Sequence, residues 1–135
     1  MPPVRYPYMS VAGRPSPLIP LGLGYQGTWQ RVQAYVDSGA FYSIFKPALA
    51  HILGIDWQQG ERVQVQGGDG GRLLVYLHQV TLQLGPYRFP GQVGFSAQLG
   101  LHFNVIGRVP FFDHFVICFD ERQQSVRFTV HEENA

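Results

Sequence analysis

The chain of 135 residues contains one cysteine, one lysine and little charge of either sign. A single thiol cannot close an internal disulfide, so packing and hydrogen bonds must hold the fold. That thiol, Cys118, lies in Phe115-Val116-Ile117-Cys118-Phe119 and reads as a small buried hydrophobe. Lys46 is the only lysine, the nine arginines are scattered singly, and the formal net charge is +1. Nucleic-acid backbones are bound through a clustered cationic field, and no such cluster exists here, so no nucleic-acid partner is expected. No apolar run approaches the roughly 18 residues of a membrane span, and the first residues, Met1-Pro2-Pro3-Val4-Arg5-Tyr6, lack the apolar stretch of a signal peptide. No membrane association is expected, and a soluble, cytoplasmic protein is the default. His51, His78, His102, His114 and His131 have no metal-site spacing, so no metal and no cofactor are expected.

Apolar residues make up 45% and aromatic residues 14% of the chain, enough for one core at this length and not for two. A two-walled cleft must then be shallow, or be completed by a second copy. Pro2, Pro3, Pro7, Pro15 and Pro17 make residues 1–17 a strap or edge segment, with regular structure expected from near Leu18. Leu18–Leu23 and Trp29–Val36 alternate as a hairpin that delivers the chain to Asp37. Lys46–Leu53 reads as a two-turn helix, with proline at its start and Gly54 as its stop. Further strands are expected at Arg62–Gln66, Leu73–Leu84, Tyr87–Phe95, Phe103–Ile106, Phe115–Phe119 and Val126–Val130, before an acidic tail at 131–135. The result is an all-β domain over 18–130 with one or two short helices. Phe111-Phe112-Asp113-His114 reads as a helical turn that exposes Asp113.

Asp37-Ser38-Gly39 ends an apolar strand. Read plainly, it is a turn of residues that favour turns everywhere. Read chemically, it places a carboxylate where an apolar strand stops, with Gly39 free to bring backbone N–H groups toward it. A weak internal echo follows: Ala34-Tyr35-Val36-Asp37-Ser38-Gly39-Ala40 and Phe103-Asn104-Val105-Ile106-Gly107-Arg108 each run from an apolar strand to a glycine.

Val36-Asp37-Ser38-Gly39-Ala40 resembles the catalytic loop of retroviral-type aspartic proteases, the retropepsins. Phe103-Asn104-Val105-Ile106-Gly107-Arg108 resembles that family's second signature, an apolar pair followed by Gly and Arg or Asn, and Gly67-Gly68-Asp69-Gly70-Gly71 is similar to its glycine-rich flap. The resemblance implies a closed, barrel-like β fold and a homodimer in which Asp37 of each copy forms a catalytic dyad. It implies an endopeptidase acting on an extended peptide or protein substrate. Ser38 and Gly39 complete the catalytic loop, and the hydroxyl of Ser38 ties the two loops across the twofold axis. Ala40, Phe41, Val65, Gly67, Gly68, Asp69, Gly70, Val105 and Ile106 are the expected substrate contacts, with Gly107 and Arg108 in loop or interface roles. Two carboxyls about 3 Å apart share one proton, because the first negative charge opposes the second ionisation.

The sequence also departs from that pattern. Phe41 stands where viral members carry an acidic residue, so Arg108 loses its expected carboxylate, and a cation–π contact to Phe41 or Tyr42 is one alternative. The prolines near the start limit strand pairing, so a rearranged terminal sheet is expected at the dimer interface. A fold kept without the chemistry, as a dimerisation or peptide-binding module, stands as the competing function. A small β interaction domain with accidental motifs is the third reading.

Overall fold

A computed structural model describes residues 1–66, 70–98 and 104–132. In chain order its strands are β1 (Val4–Pro7), β2 (Met9–Val11), β3 (Arg14–Ser16), β4 (Leu18–Tyr25), β5 (Thr28–Val36) and β6 (Ile44–Phe45). After helix α1 (Pro47–Leu53) come β7 (Glu61–Gln66), β8 (Arg72–Leu84), β9 (Tyr87–Phe95) and β10 (Asn104–Ile106). Helix α2 (Phe111–His114) precedes β11 (Phe115–Asp120) and β12 (Ser125–Val130). The all-β class expected from the sequence is the class observed. Among the described residues no helix is long and apolar enough to cross a membrane.

The larger sheet has the order β4-β5-β10-β6-β9-β8-β7, and β4 also pairs with β8. That extra pairing, Gly22 to Gln83 through Gly24 to Thr81, closes six strands into a ring and leaves β7 outside it. Alternation on β5 sends Ala34 and Val36 inward, while Arg31 and Gln33 face out. α1 starts on Pro47 and stops at Gly54, whose left-handed φ of 77° lets its N–H reach the carbonyl of His51. Its buried Leu49, Ala50 and Leu53 cap one side of the core.

The hydrophobic interior has two parts. The main core gathers Ile19, Leu23, Phe45, Leu82, Phe95, Phe111 and their neighbours. A smaller cluster of Ile44, Val75, Leu77 and Val105 lies apart, flanked by half-buried Tyr35, Tyr42, Val63, Val65 and Leu73. β8 serves both: Val75 and Leu77 face the small cluster, whereas Val80, Leu82 and Leu84, of opposite parity, face the main core. Because side chains alternate along a strand, this change of parity means that β8 uses one face for each cluster.

Two expectations are corrected. Regular structure begins at Val4, not near Leu18. β1 pairs with β12, and β2 forms a hairpin with β3 across Ala12 and Gly13, both at positive φ. Prolines are tolerated because β1 is an edge strand that needs partners on one side only. Cys118 is exposed, not buried. β11 is the other edge of the three-stranded sheet β1-β12-β11 and turns Val116 and Cys118 outward.

Candidate active site

The chain between β5 and β6 cannot run straight, because β10 lies between those strands. β10 is parallel to β5, with Asn104, Val105 and Ile106 beside Ala34, Tyr35 and Val36, and antiparallel to β6 through Val105 and Ile44. Asn104 fixes the start of β10 by accepting from the Lys46 N–H at 2.9 Å and donating to the Gln33 carbonyl at 3.0 Å. Residues 37–43 must therefore cross the end of β10, and that crossing carries the motif.

Asp37 is half-buried. Its N–H donates to the Ile106 carbonyl at 3.0 Å, continuing the β5–β10 ladder by one position. Its Oδ1 accepts from the Gly39 N–H at 2.9 Å, and its carbonyl accepts from the Ala40 N–H at 3.2 Å. The loop thus holds the carboxylate from its own backbone, as the sequence led one to expect of Gly39. Ser38 and Gly39 are exposed and Ala40 half-buried. Phe41 is 55% exposed, with its ring edge-on to Tyr42 at 4.9 Å.

The second loop is bonded to the first. Arg108 N–H donates to the Ala40 carbonyl at 2.9 Å and Val109 N–H to that of Phe41 at 2.8 Å. Gly107 is buried beneath the crossing. A Cβ there would press onto the backbone oxygens of Ala40 and Tyr42, the latter 2.8 Å away, so only glycine allows the two loops this close. Ser43 locks the crossing. Its fully buried hydroxyl donates to the Val109 carbonyl at 2.8 Å and accepts from the Gly107 N–H at 2.9 Å. Sequence reasoning missed Ser43. The available signal was a hydroxyl residue directly before the apolar pair Ile44-Phe45, a place where burial demands a partner.

The remaining predicted residues are distributed as follows. Val65 is half-buried beside the small cluster, on the β7–β8 hairpin. Gly70 is exposed at φ 86°, while Gly67, Gly68 and Asp69 lie outside the described residues. Val105 is packed into the small cluster and Ile106 into the main core, so both stand below the surface of the single chain. Arg108 is exposed and meets the first loop through its backbone. A cation–π contact does occur in the molecule, but it places Arg88 over Trp29 at 4.4 Å. Asp113 is exposed on α2, as expected. Two surface concavities, of about 500 Å³ against Cys118, Asp120 and Arg127 and about 370 Å³ against Trp29 and Arg31, are not lined by Asp37. Among the described residues no cluster of three His, Cys, Asp or Glu could hold a metal ion.

This arrangement can present one carboxylate, held from its own backbone, on a surface open to a partner. By itself it offers one acid where water activation by carboxyls needs an acid and a base.

Comparison with known proteins bears on this geometry. Many solved structures share the fold, three of them as follows. The retropepsin-like aspartic protease from Rickettsia conorii superposes with a TM-score of 0.67 and 12% identity, over 94% of this chain and 89% of that one. The retroviral protease-like domain of Ddi1 from Leishmania major gives 0.59 and 19%, over 88% and 96%. The EIAV protease complexed with the inhibitor HBY-793 gives 0.52 and 17%, over 74% and 88%. No curated protein matches the sequence. A family model described as aspartyl protease matches residues 23–107, a span that runs from the ring strand β4 through the Asp37 loop to Gly107. With that match covering most of the sequence, the chain belongs to the aspartyl protease family, and its fold is retropepsin-like.

Proposed function

We propose that the chain is an aspartic endopeptidase that works as a homodimer, with Asp37 of each copy forming the dyad. The observation that carries this reading is the contrast across the β5–β10 pair. One strand runs on into Asp37, and the other runs on into Gly107, where no side chain fits. The second carboxyl must therefore come from elsewhere, and Asp113, exposed on α2, belongs to a different surface element. In the dyad one carboxylate takes a proton from water while the other, protonated, polarises the scissile carbonyl. Ser38 ties the paired loops through its hydroxyl, and Gly107 and Arg108 brace them from below.

The substrate is an extended polypeptide held by β-type hydrogen bonds between the dyad and the β7–β8 hairpin, which acts as the flap through residues 67–70. Ala40 and Phe41 form the floor, and Val65 with the small cluster forms the wall, backed from beneath by Val105 and Ile106. The exposed Phe41 ring favours apolar substrate side chains at this position. An exposed free thiol at Cys118 suits a reducing, cytoplasmic compartment. A binding module that keeps the fold without the reaction is the second reading. Phe41 favours it, because a polar anchor for the peptide backbone is absent there.

The test is cleavage of a library of extended peptides by the purified chain and by its Asp37→Asn variant, across pH 3 to 8, with binding of a statine-type inhibitor measured in parallel. Cleavage confined to the wild type, with tight inhibitor binding, is expected. Equal cleavage by both proteins overturns the assignment. Peptide binding without turnover or inhibitor affinity establishes the module instead.

A further inference from the structure

We propose that the outward face of β5, β4, β8 and β9 holds a second binding site, apart from the Asp37 loop, for an acidic segment of a partner polypeptide.

The register sets four residues in one row across these strands: Arg31 opposite Gly22, Gly22 opposite Gln83, and Gln83 opposite Arg88. An arginine thus stands at each end of the row, and its middle is thin. One position along, Trp29 stands opposite Gly24. Its indole lies across both glycines, since a Cβ on Gly24 would come within 2.6 Å of ring carbons and one on Gly22 within 3.6 Å. A side chain at Gly24 would displace the ring, so the glycines are its seat.

Arg88 covers the other side of the indole. Its guanidinium sits 4.4 Å over the ring, its Nε donates to Gln83 Oε1 at 2.8 Å, and Gln83 donates in turn to the Gly85 carbonyl at 3.1 Å. No described residue takes the two terminal nitrogens of Arg88, and that pair matches the two oxygens of a carboxylate. Arg31 supplies a second exposed cation to the same concavity of about 370 Å³. Among the described residues no carboxylate lines it.

The occupant follows from what this surface offers and lacks. A nucleobase needs an open aromatic face, and both faces of the indole are taken, by backbone below and by Arg88 above. A nucleic-acid backbone or an anionic lipid surface is held by a longer run of cations than two. A polypeptide bearing two acids needs no more than two. The row spans three strand spacings, about 14 Å between its end Cα atoms, and acids four positions apart on an extended segment stand about 13 Å apart on one face. The residue midway between them then meets the indole, which is 38% exposed, and an apolar side chain suits that place.

This surface stands clear of the proposed chemistry. Arg31 precedes Asp37 by six residues, about 20 Å of extended chain. Under the endopeptidase reading, a segment held here anchors a substrate at least six residues from the cut. That role rests on the reading, whereas the site itself does not.

The test is fluorescence anisotropy of a labelled, acetylated and amidated peptide containing Glu-Ser-Leu-Ser-Glu, titrated with the intact chain and with Asp37→Asn, which excludes turnover. Both proteins are expected to bind it alike. Replacing both glutamates of the peptide by glutamine, Arg88→Gln, Arg31→Gln, or raising salt from about 50 to about 300 mM should each weaken binding about tenfold or more, with unchanged far-UV circular dichroism of the variants. Arg88→Lys, which keeps the charge and loses the fork, should fall between wild type and Arg88→Gln. Equal affinity for the glutamine peptide, or arginine variants that bind as the wild type does, overturns the site. A duplex oligonucleotide or phosphatidylserine vesicles held more tightly through the same two arginines overturn the choice of occupant. Peptide binding through the arginines by a chain that cleaves nothing upholds the site and removes the endopeptidase reading alone.

Discussion

Two parallel strands leave the ring side by side, and the loops that follow them have opposite contents. β5 continues into Asp37, a carboxylate held half-exposed by the Gly39 N–H. β10 continues into Gly107, which is buried and has no room for a Cβ. The register is shared, Ile106 beside Val36, so the difference arises from packing. The loop that presents chemistry has to cross over the other, and the crossed loop must be thin. One chain can therefore offer one acid at this junction, and under the proposed reaction, which needs two, association would be part of catalysis.

The contrast breaks most completely at Asp37. Asp37→Asn retains an oxygen for the Gly39 N–H, so thermal unfolding should shift little, while peptidase turnover falls by about 10³-fold or more. At the other loop the sign reverses. Gly107→Ala should leave the acid in place and cost about 3 kcal/mol of stability in denaturant titrations, because its Cβ meets backbone oxygens that cannot rotate away. Ser43→Ala sharpens the comparison by loosening the crossing alone. The buried Gly107 N–H loses its partner, while the Val109 carbonyl keeps the Ser43 N–H, and the loss should be about 1–3 kcal/mol, with turnover reduced as the loops slacken.

The smallest expected effect lies behind the second loop. His114 stacks on Phe89 at 4.1 Å, and its pKa is pushed below the usual imidazole value by burial first and by His131 second. The unfolded chain thus binds a proton here more readily than the folded one. Stability should be unaffected by His114 above about pH 6.5 and decline as pH falls below that value toward the folded pKa. Denaturant titrations at pH 7.5 and 5.0 should show this slope in the wild type and a weaker one in His114→Phe.

Much of this was legible because alternation is a local signal. β5, β7, β9 and β12 follow from parity and turn residues alone, and α1 from Pro47 and Gly54. Asp37 was legible because an acid at the end of an apolar strand needs a reason. The strands β1 to β3 were not, since proline's cost depends on whether its missing N–H faces a neighbour or solvent, and that is settled by sheet order. The Ala12-Gly13 turn adopts two positive φ values with no asparagine or aspartate to announce them. Cys118 was misplaced for a related reason. An apolar run looks the same on an edge strand as at the centre of a sheet, and only the position of β12 between β1 and β11 separates them. Ser43 was missed because its partners, Gly107 and Val109, lie far along the chain.

The divided allegiance of β8 has a mechanical consequence. Around His78 and Gln79 the strand passes from one interior to the other, and there His78 Nε2 is pinned to the Trp57 carbonyl at 2.7 Å. The pin marks the boundary between the two. The arm beyond it leans on a cushion of few side chains, Ile44, Val75, Leu77 and Val105, whereas the shank is clamped in the main body. The arm answers to few neighbours and the shank to many, so a substitution within the cushion should loosen the β7–β8 hairpin before it reaches the main body.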